Sequence, residues 1–151
     1  MTNAEMDAKV VELDAHRPPL FTDEALALRF AERHSDELRY VAGQSRWFIY
    51  TGQQWRADDT LHAFDKARRL CREVSAACNK AKVQSILASA KTVANVERLS
   101  KADRRLAATM DQWDLDPMIL NTPDGVVDLS SGKIRAHRAS DYLTRMTAIG
   151  P

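Results

Sequence analysis

The sequence predicts an α+β domain in which a small antiparallel sheet packs against a helical middle region. Short runs rich in β-branched and aromatic residues lie on both sides of that region, which itself carries apolar residues every three or four positions. The 151 residues, 44% of them hydrophobic and 28% charged, are typical of one compact domain. We therefore expect a three-stranded meander, then helices, then a C-terminal hairpin.

The chain begins with a segment that shows no sustained period. Residues 1–20 mix small and charged positions, and Pro18-Pro19 cannot continue a helix, so we expect a flexible tail. A single domain should then occupy residues 21–151. Its first helix is predicted over 23–34, because Thr22 can cap a first turn that is acidic.

Three short runs, separated by turn residues, predict the meander: Leu38-Ala42, Arg46-Tyr50 and Gln54-Ala57. Side chains alternate between the two faces of a strand, which places Trp47 and Ile49 on one face, with Trp55 assigned to the same side. Phe48 and Tyr50 then lie on the other face. Both faces need at least partial cover, which we expect the helices to provide.

The strongest helical pattern follows Asp58-Asp59-Thr60, where the acidic side chains suit the start of a helix. Its apolar positions are Leu61, Phe64, Leu70, Cys71, Val74, Ala77 and Cys78. We expect this helix to end at Asn79. Two further helices are predicted over 82–90 and 94–110, the second with a break near Ser100.

The last third of the chain returns to a β pattern. Residues 121–125 are typical of a turn, 126–129 of a strand, 130–132 of a tight turn and 133–137 of the returning strand. A further element over 142–149 is followed almost at once by the end of the sequence. We therefore expect a domain excised from a longer protein.

Composition excludes several classes of protein. The formal net charge is +1, so no strong overall field indicates a nucleic-acid or membrane binder, and any basic surface must come from local clustering. Cys71 and Cys78 lie about two helical turns apart, too far for a disulfide, which favours a reducing cytoplasmic setting. No signal peptide or run of 18 apolar residues is present in the sequence, and we expect no membrane partner.

Nucleotide-binding loops are excluded as well. A phosphate-binding loop needs two glycines five positions apart, followed by Lys and Ser or Thr. Gly132-Lys133 is followed by Ile134, and Val127 occupies the position of the first glycine. We expect no cofactor in this chain.

Asp114-Leu115-Asp116 is the most suggestive catalytic pattern, because two carboxylates on one side of a strand can hold the paired metal ions of a nucleotidyl transferase. Asp116, however, precedes Pro117, which favours a turn, and no third ligand completes a recognisable pattern. The structural interpretation is preferred, with no catalytic residue and no metal.

Zinc and thiol chemistry are poorly supported by the sequence. The four histidines lie in four different predicted segments, and neither cysteine has a partner at C-x-x-C spacing, which makes a zinc site improbable. A nucleophilic Cys/His pair stays open at this point. Both cysteines nevertheless fall on the apolar stripe of their helix, where thiols usually pack as small hydrophobes.

A local excess of positive charge marks candidate DNA-binding residues. They are Arg68, Arg69, Arg72, Lys80 and Lys82. With Lys66 they form a stretch that contains one acid, Glu73, and such a helix can follow a phosphate backbone. A solvated helix face is the commoner explanation. Trp47, Tyr50 and Trp55 could stack on unpaired bases, although aromatic residues on a small sheet usually fill its core.

Two further sets of residues carry a family resemblance. The first is Trp47, Tyr50, Gly52 and Trp55, and the second is Trp113, Asp114, Asp116, Pro117, Leu120, Asn121, Gly125, Asp128, Leu129 and Gly132. In this order they resemble the signature of the domain that precedes the superfamily 3 helicase module in phage, plasmid and poxvirus primase-helicases. The resemblance covers about residues 21–149.

The resemblance implies a non-catalytic accessory domain of a replication protein. The parent would be an ATP-dependent DNA helicase that uses ATP and Mg²⁺, with or without primase activity, in the cytoplasm of a bacterial host. Expected partners are DNA, the helicase module of the same chain and further copies through the parent. The signature residues would then be structural, with tight turns at Gly125 and Gly132, bonds from Asn121 and Asp124 to turn backbone, and packing by Val126 and Leu129.

Two alternatives belong to other functional classes. One is an assembly or partner-recruitment domain that does not bind DNA. The other is a metal-dependent nucleotidyl transferase that uses Asp114 and Asp116.

Overall fold

The computed structural model of the protein describes residues 17–151, so most of the tail expected over 1–20 lies outside the described residues. The described part contains helices α1 (Asp23–His34), α2 (His62–Ala77), α3 (Ala81–Leu87) and α4 (Ala90–Ser100). Its strands are β1 (Leu38–Val41), β2 (Arg46–Tyr50), β3 (Trp55–Ala57), β4 (Ala107–Ala108), β5 (Ile119–Thr122), β6 (Gly125–Asp128) and β7 (Ile134–Arg135). The predicted α+β class is confirmed.

Helix α1 has the predicted bounds because its ends are set by local chemistry. The Thr22 hydroxyl oxygen accepts the N–H of Ala25 at 3.2 Å, and the acidic Asp23 and Glu24 occupy the first turn. Leu26 and Phe30 are buried one turn apart, so this face of α1 enters the core.

Helix α2 is capped by a residue four positions before its start. Asp58 accepts the N–H groups of Thr60, His62 and Ala63 at 3.1, 3.0 and 2.9 Å. The predicted inclusion of Leu61 in the apolar stripe is wrong, since Leu61 is left-handed, with φ 59°, and 75% exposed. The helix ends two residues before the predicted end.

The prediction of a helix over 94–110 is wrong beyond its expected break. Helix α4 ends at Ser100, and the chain then turns. Asp103 accepts the backbone N–H of Arg105 at 2.9 Å, a local bond that competes with helix continuation. The turn buries Leu106 and leads into the short strand β4.

The predicted helix over 82–90 is observed as the shorter helix α3, which ends at Leu87. Ser89 begins a new helix instead of continuing this one, because its hydroxyl oxygen accepts the N–H of Thr92 at 3.2 Å and caps α4.

The first sheet has the order β3-β2-β1-β4. Strands β1 to β3 form the predicted antiparallel meander, but β4 pairs with β1 in parallel, so the sheet is mixed and not wholly antiparallel. The missed strand is two residues long, and its pairing joins positions more than sixty residues apart. No local pattern in the sequence indicates it.

Each face of this sheet has its own buried cluster. On one face, Leu38 and Trp47 pack with α1, α2 and α4, as expected. On the other face the predicted position of Trp55 is corrected. Trp55 pairs with Tyr50 and shares a cluster with Phe48, while Trp113 packs against that cluster. Helices thus cover one face of the sheet, and the C-terminal part of the chain contributes cover to the other.

The second sheet is antiparallel with the order β5-β6-β7. The predicted hairpin is confirmed as β6 and β7, but β5 includes residues that the sequence pattern assigns to a turn. The turn between β5 and β6 is shorter than the predicted turn over 121–125, because Thr122 already pairs with Gly125. Gly125 is needed there, since a Cβ atom would lie 2.5 Å from the carbonyl oxygen of Arg135. Among residues 17–151, the structure contains no helix long and apolar enough to span a bilayer.

We expect Asp58→Ala to lower the free energy of unfolding by about 1 kcal/mol, because three N–H groups at the start of α2 lose their acceptor. Urea denaturation followed by circular dichroism measures the change. Asp59→Ala is the matched control, since Asp59 is exposed and its side chain makes no hydrogen bond in the described part of the chain.

The loss of unfolding free energy in Asp58→Ala should itself depend on pH, and this dependence identifies the Asp58 carboxylate as the source of the loss. Burial raises the pKa of Asp58, but the three backbone donors outweigh it and hold the pKa below its usual value. The stabilisation is therefore fully present above the unfolded pKa and is lost as pH falls through the folded pKa. Equal effects of the two alanine variants at pH 7 would contradict this assignment.

Candidate functional site

The candidate DNA-binding residues of α2 lie on its exposed side. Arg68 and Arg69 are exposed and share one acid, with the Asp65 carboxylate 2.7 Å from Arg69 Nε and 3.8 Å from Arg68 Nη1. The remaining three candidates are exposed and have no ion-pair partner among the residues that the structure describes: Arg72, Lys80 and Lys82. These five residues, here called the basic face, run from α2 to the start of α3.

Lys66 is not part of this surface. Its side chain is 20% exposed, and its ammonium group lies 3.1 Å from the Glu37 carboxylate, which also bonds to His34. Burial raises the pKa of Glu37, but the bonds to His34 and Lys66 outweigh it and lower that pKa. For His34, burial lowers the pKa despite the opposing effect of Glu37. The three side chains join α1, α2 and the start of β1.

Arg33 of α1 is joined to α2 beside the basic face, and the sequence pattern did not identify it. Arg33 donates to both oxygens of Glu73 on α2, at 2.7 and 3.1 Å. The hydrogen bond from Arg33 lowers the pKa of Glu73, and the charge of Arg29 adds to the effect. A window along the chain cannot show this arrangement, because forty residues separate Arg33 from Glu73.

The aromatic residues of the first family motif are engaged inside the fold. Trp47 donates its ring N–H to Glu97 at 2.7 Å, and Trp55 donates to the Ala139 carbonyl at 2.8 Å. Both rings are buried, so neither tryptophan offers a ring face on which a base could stack.

Tyr50 is half-buried and packs against Trp55. Its hydroxyl donates to the carbonyl of Gly52, the glycine of the first motif, at 3.1 Å. The φ of Gly52 is 96°, a conformation that requires glycine. The first motif therefore shapes the β2–β3 hairpin.

The second motif begins with a tryptophan in the same aromatic cluster. The ring of Trp113 lies 4.9 Å from Phe48, 5.6 Å from Trp55 and 5.3 Å from Tyr142, measured between centroids. The next residue, Asp114, is left-handed, with φ 51°. Its backbone N–H donates to the Tyr142 carbonyl at 3.0 Å, which ties the motif to the C-terminal segment.

Both carboxylate oxygens of Asp114 accept bonds from Thr144. The backbone N–H of Thr144 donates to one oxygen at 2.8 Å, and its hydroxyl donates to the other. Asp116 is exposed and accepts the N–H of Met118 at 2.8 Å, in the turn that precedes β5. No group of three or more potential ligands for a metal ion is found within residues 17–151.

Two adjoining cavities of about 280 and 410 Å³ share Asp116 and Ile119 in their walls. Asn121 lines the smaller one and donates to the carbonyls of Gln53 and Arg145, at 3.0 and 3.1 Å. Its expected bond to turn backbone is thus made to the β2–β3 turn and not to the turn that follows Asn121 itself. The residue connects β5 to that turn and to the C-terminal segment.

The rest of the second motif shapes the small sheet. Asp128 accepts bonds from Ser130 and Ser131, which lower its pKa, and the turn closes at Gly132 with φ 70°. Val126 is buried as expected, but Leu129 is half exposed, so its predicted packing in the hairpin is wrong. The remaining members, Pro117 and Leu120, are also exposed.

The cysteine hypothesis loses its chemical basis. Cys71 is buried in the core, and burial, with a smaller effect of Asp23, raises the pKa of its thiol to about 11. A thiol with that pKa is protonated near neutral pH and is a poor nucleophile. Cys78 is also buried.

We expect Asp114→Ala to lower the free energy of unfolding by about 2–3 kcal/mol, because two bonds to a carboxylate disappear and alanine tolerates a positive φ poorly. Asp114→Asn should cost less, since asparagine tolerates that conformation and keeps one acceptor oxygen. Chemical denaturation at pH 7 ranks the two variants.

The metal-ion hypothesis has a separate measurement. Mg²⁺ or Mn²⁺ should raise the Tm of the wild type no more than that of Asp114→Asn. A larger rise in the wild type would restore the nucleotidyl transferase interpretation.

Comparison with known proteins identifies a family. The family model described as D5 N terminal like matches residues 27–151, which is most of the chain. No curated protein matches the sequence. The chain belongs to the D5 N-terminal-like family, the pre-helicase domains of primase-helicases.

Proposed function

We propose that this chain is a non-catalytic accessory domain of a DNA-replication primase-helicase and that it positions DNA for the helicase ring. Family membership supports the primase-helicase context. The observation that carries the DNA contact is the basic face, whose five cationic side chains are exposed. In this proposal the helicase module of the parent chain uses ATP and Mg²⁺ and joins the subunits of the ring, in the cytoplasm of a bacterial host.

The basic face suits the phosphate backbone of DNA better than its bases. Guanidinium groups bind phosphate through two parallel hydrogen bonds, and lysines add point charges. Trp47 and Trp55, which could have stacked on bases, are buried in the fold. Binding should therefore depend little on base sequence and should weaken steeply with salt.

A triple variant tests the basic face directly. We expect Arg68→Gln, Arg69→Gln and Arg72→Gln together to weaken binding to labelled DNA by at least about tenfold at low salt. The slope of log K against log salt should become shallower by about 0.9 for each duplex phosphate that the variant no longer neutralises. Fluorescence anisotropy with single-stranded, duplex and forked DNA gives both quantities.

The matched control removes the same charge elsewhere. Arg56, Arg98 and Lys133 are exposed residues on β3, on α4 and in the β6–β7 turn. Changing all three to Gln should reduce affinity far less than the α2 variant does. Equal reductions from the two triple variants, or no binding by the wild type at high micromolar protein, would overturn the proposal.

A second candidate function, assembly or partner recruitment, is favoured by one observation. Cross-strand pairing places Leu120, Val127 and Ile134 in a row on one face of the second sheet. Met118 and Leu129 are paired at the end of the same face. Four of the five are exposed, and a contiguous exposed apolar surface is typical of a protein contact.

We expect Leu129→Ser with Ile134→Ser to leave the monomer folded, because both side chains are about half exposed. If the second function holds, the pair should reduce self-association or association with the helicase module. Size-exclusion chromatography with light scattering on the longer parent, with and without the changes, measures the effect. An unchanged oligomer argues against assembly through this face.

A further inference from the structure

The ion pair between Arg33 and Glu73 joins two helices at the edge of the basic face. Glu73 follows Arg72 directly and lies one helical turn after Arg69. Arg33 must therefore hold its guanidinium close to these α2 residues, because it bonds to both Glu73 oxygens. Arg33 of α1 is thus bonded to a residue that adjoins the basic face in the sequence of α2.

The same pair is accessible to solvent. The side chains of Arg33 and Glu73 are 37% and 57% exposed. An exposed ion pair contributes little to stability, so another anion can replace the carboxylate at small cost to the fold. The two-oxygen edge of a carboxylate and that of a phosphate fit the same guanidinium fork.

We propose that the DNA surface extends onto α1 through Arg33, and that Glu73 occupies a position that a DNA phosphate takes on binding. This inference rests on the proposed function, in which the basic face contacts the backbone. Glu73 then acts as an internal competitor. It holds Arg33 in place in the free protein and is displaced when a phosphate binds.

If Glu73 competes with DNA for Arg33, removing its charge should change the DNA affinity in the opposite direction from removing a residue that orients Arg33 for binding. Removing the Glu73 charge leaves Arg33 without a carboxylate partner among the residues that the structure describes. Affinity for DNA should then rise. If Glu73 serves instead to orient Arg33 productively, its removal should lower the affinity.

Fluorescence anisotropy on the full chain with Glu73→Gln, Arg33→Gln and the double variant tests the inference. Glu73→Gln should tighten DNA binding by about three- to tenfold at low salt and steepen the salt dependence. Arg33→Gln should weaken binding. The double variant should gain nothing over Arg33→Gln, because the competitor acts through Arg33.

The matched control is Glu24→Gln, which makes the same chemical and charge change at an exposed position in the first turn of α1. It should alter affinity by less than about twofold. Circular dichroism confirms that each variant is folded before affinities are compared.

The outcomes separate this inference from the proposed function. If the wild type does not bind DNA, both are overturned. If binding depends on Arg68, Arg69 and Arg72 but Glu73→Gln gains no more than Glu24→Gln, the basic face stands and the role of Glu73 is rejected. A gain that persists in the double variant would likewise reject action through Arg33.

Discussion

The structure depends on covering both faces of a sheet whose strands have at most five residues. Helices cover one face, where Leu38 and Trp47 enter the larger core. The other face has no helix from the middle region, and its centre is Trp55, which is 1% exposed. A tryptophan buries about 150–250 Å² on leaving water, so the position of this ring strongly favours one path for the chain beside it.

That path brings together the two family motifs, which lie far apart in sequence. The backbone N–H of Trp55 donates to the Leu143 carbonyl at 2.8 Å, and its ring donates to the Ala139 carbonyl. Asp114 then fixes Thr144, and Asn121 bonds to the next residue along the chain. The two motifs therefore belong to one continuous set of contacts that closes the second face of the sheet. Their aspartates and asparagine act through hydrogen bonds within the fold.

The sequence predicts best what neighbouring residues determine. The bounds of α1 follow from the Thr22 cap and the acidic first turn, and these signals lie within a few residues of the helix start. The face of Trp55 could not be obtained in the same way. Alternation counted along β2 does not continue through a turn, and the hairpin register, which pairs Tyr50 with Trp55, decides the face instead. Strand β4 and the contact between Arg33 and Glu73 need the folded chain, because their partners are distant in sequence.

The formal net charge of +1 also conceals how the charges are distributed. Several acids accept backbone N–H groups at a helix start, at a contact between segments or in a turn. Examples are Asp58, Asp114 and Asp128. These carboxylates accept N–H groups that a turn or a helix start leaves without a partner. Their positions are therefore independent of the charge on the rest of the surface. Exposed arginines of α1 and α2 are not tied to turns in this way. Arg68 and Arg69 share Asp65, and Arg33 pairs with Glu73. A chain that is nearly neutral overall can thus carry a locally cationic surface, because the geometry of the turns, and not the total charge, determines where its carboxylates lie.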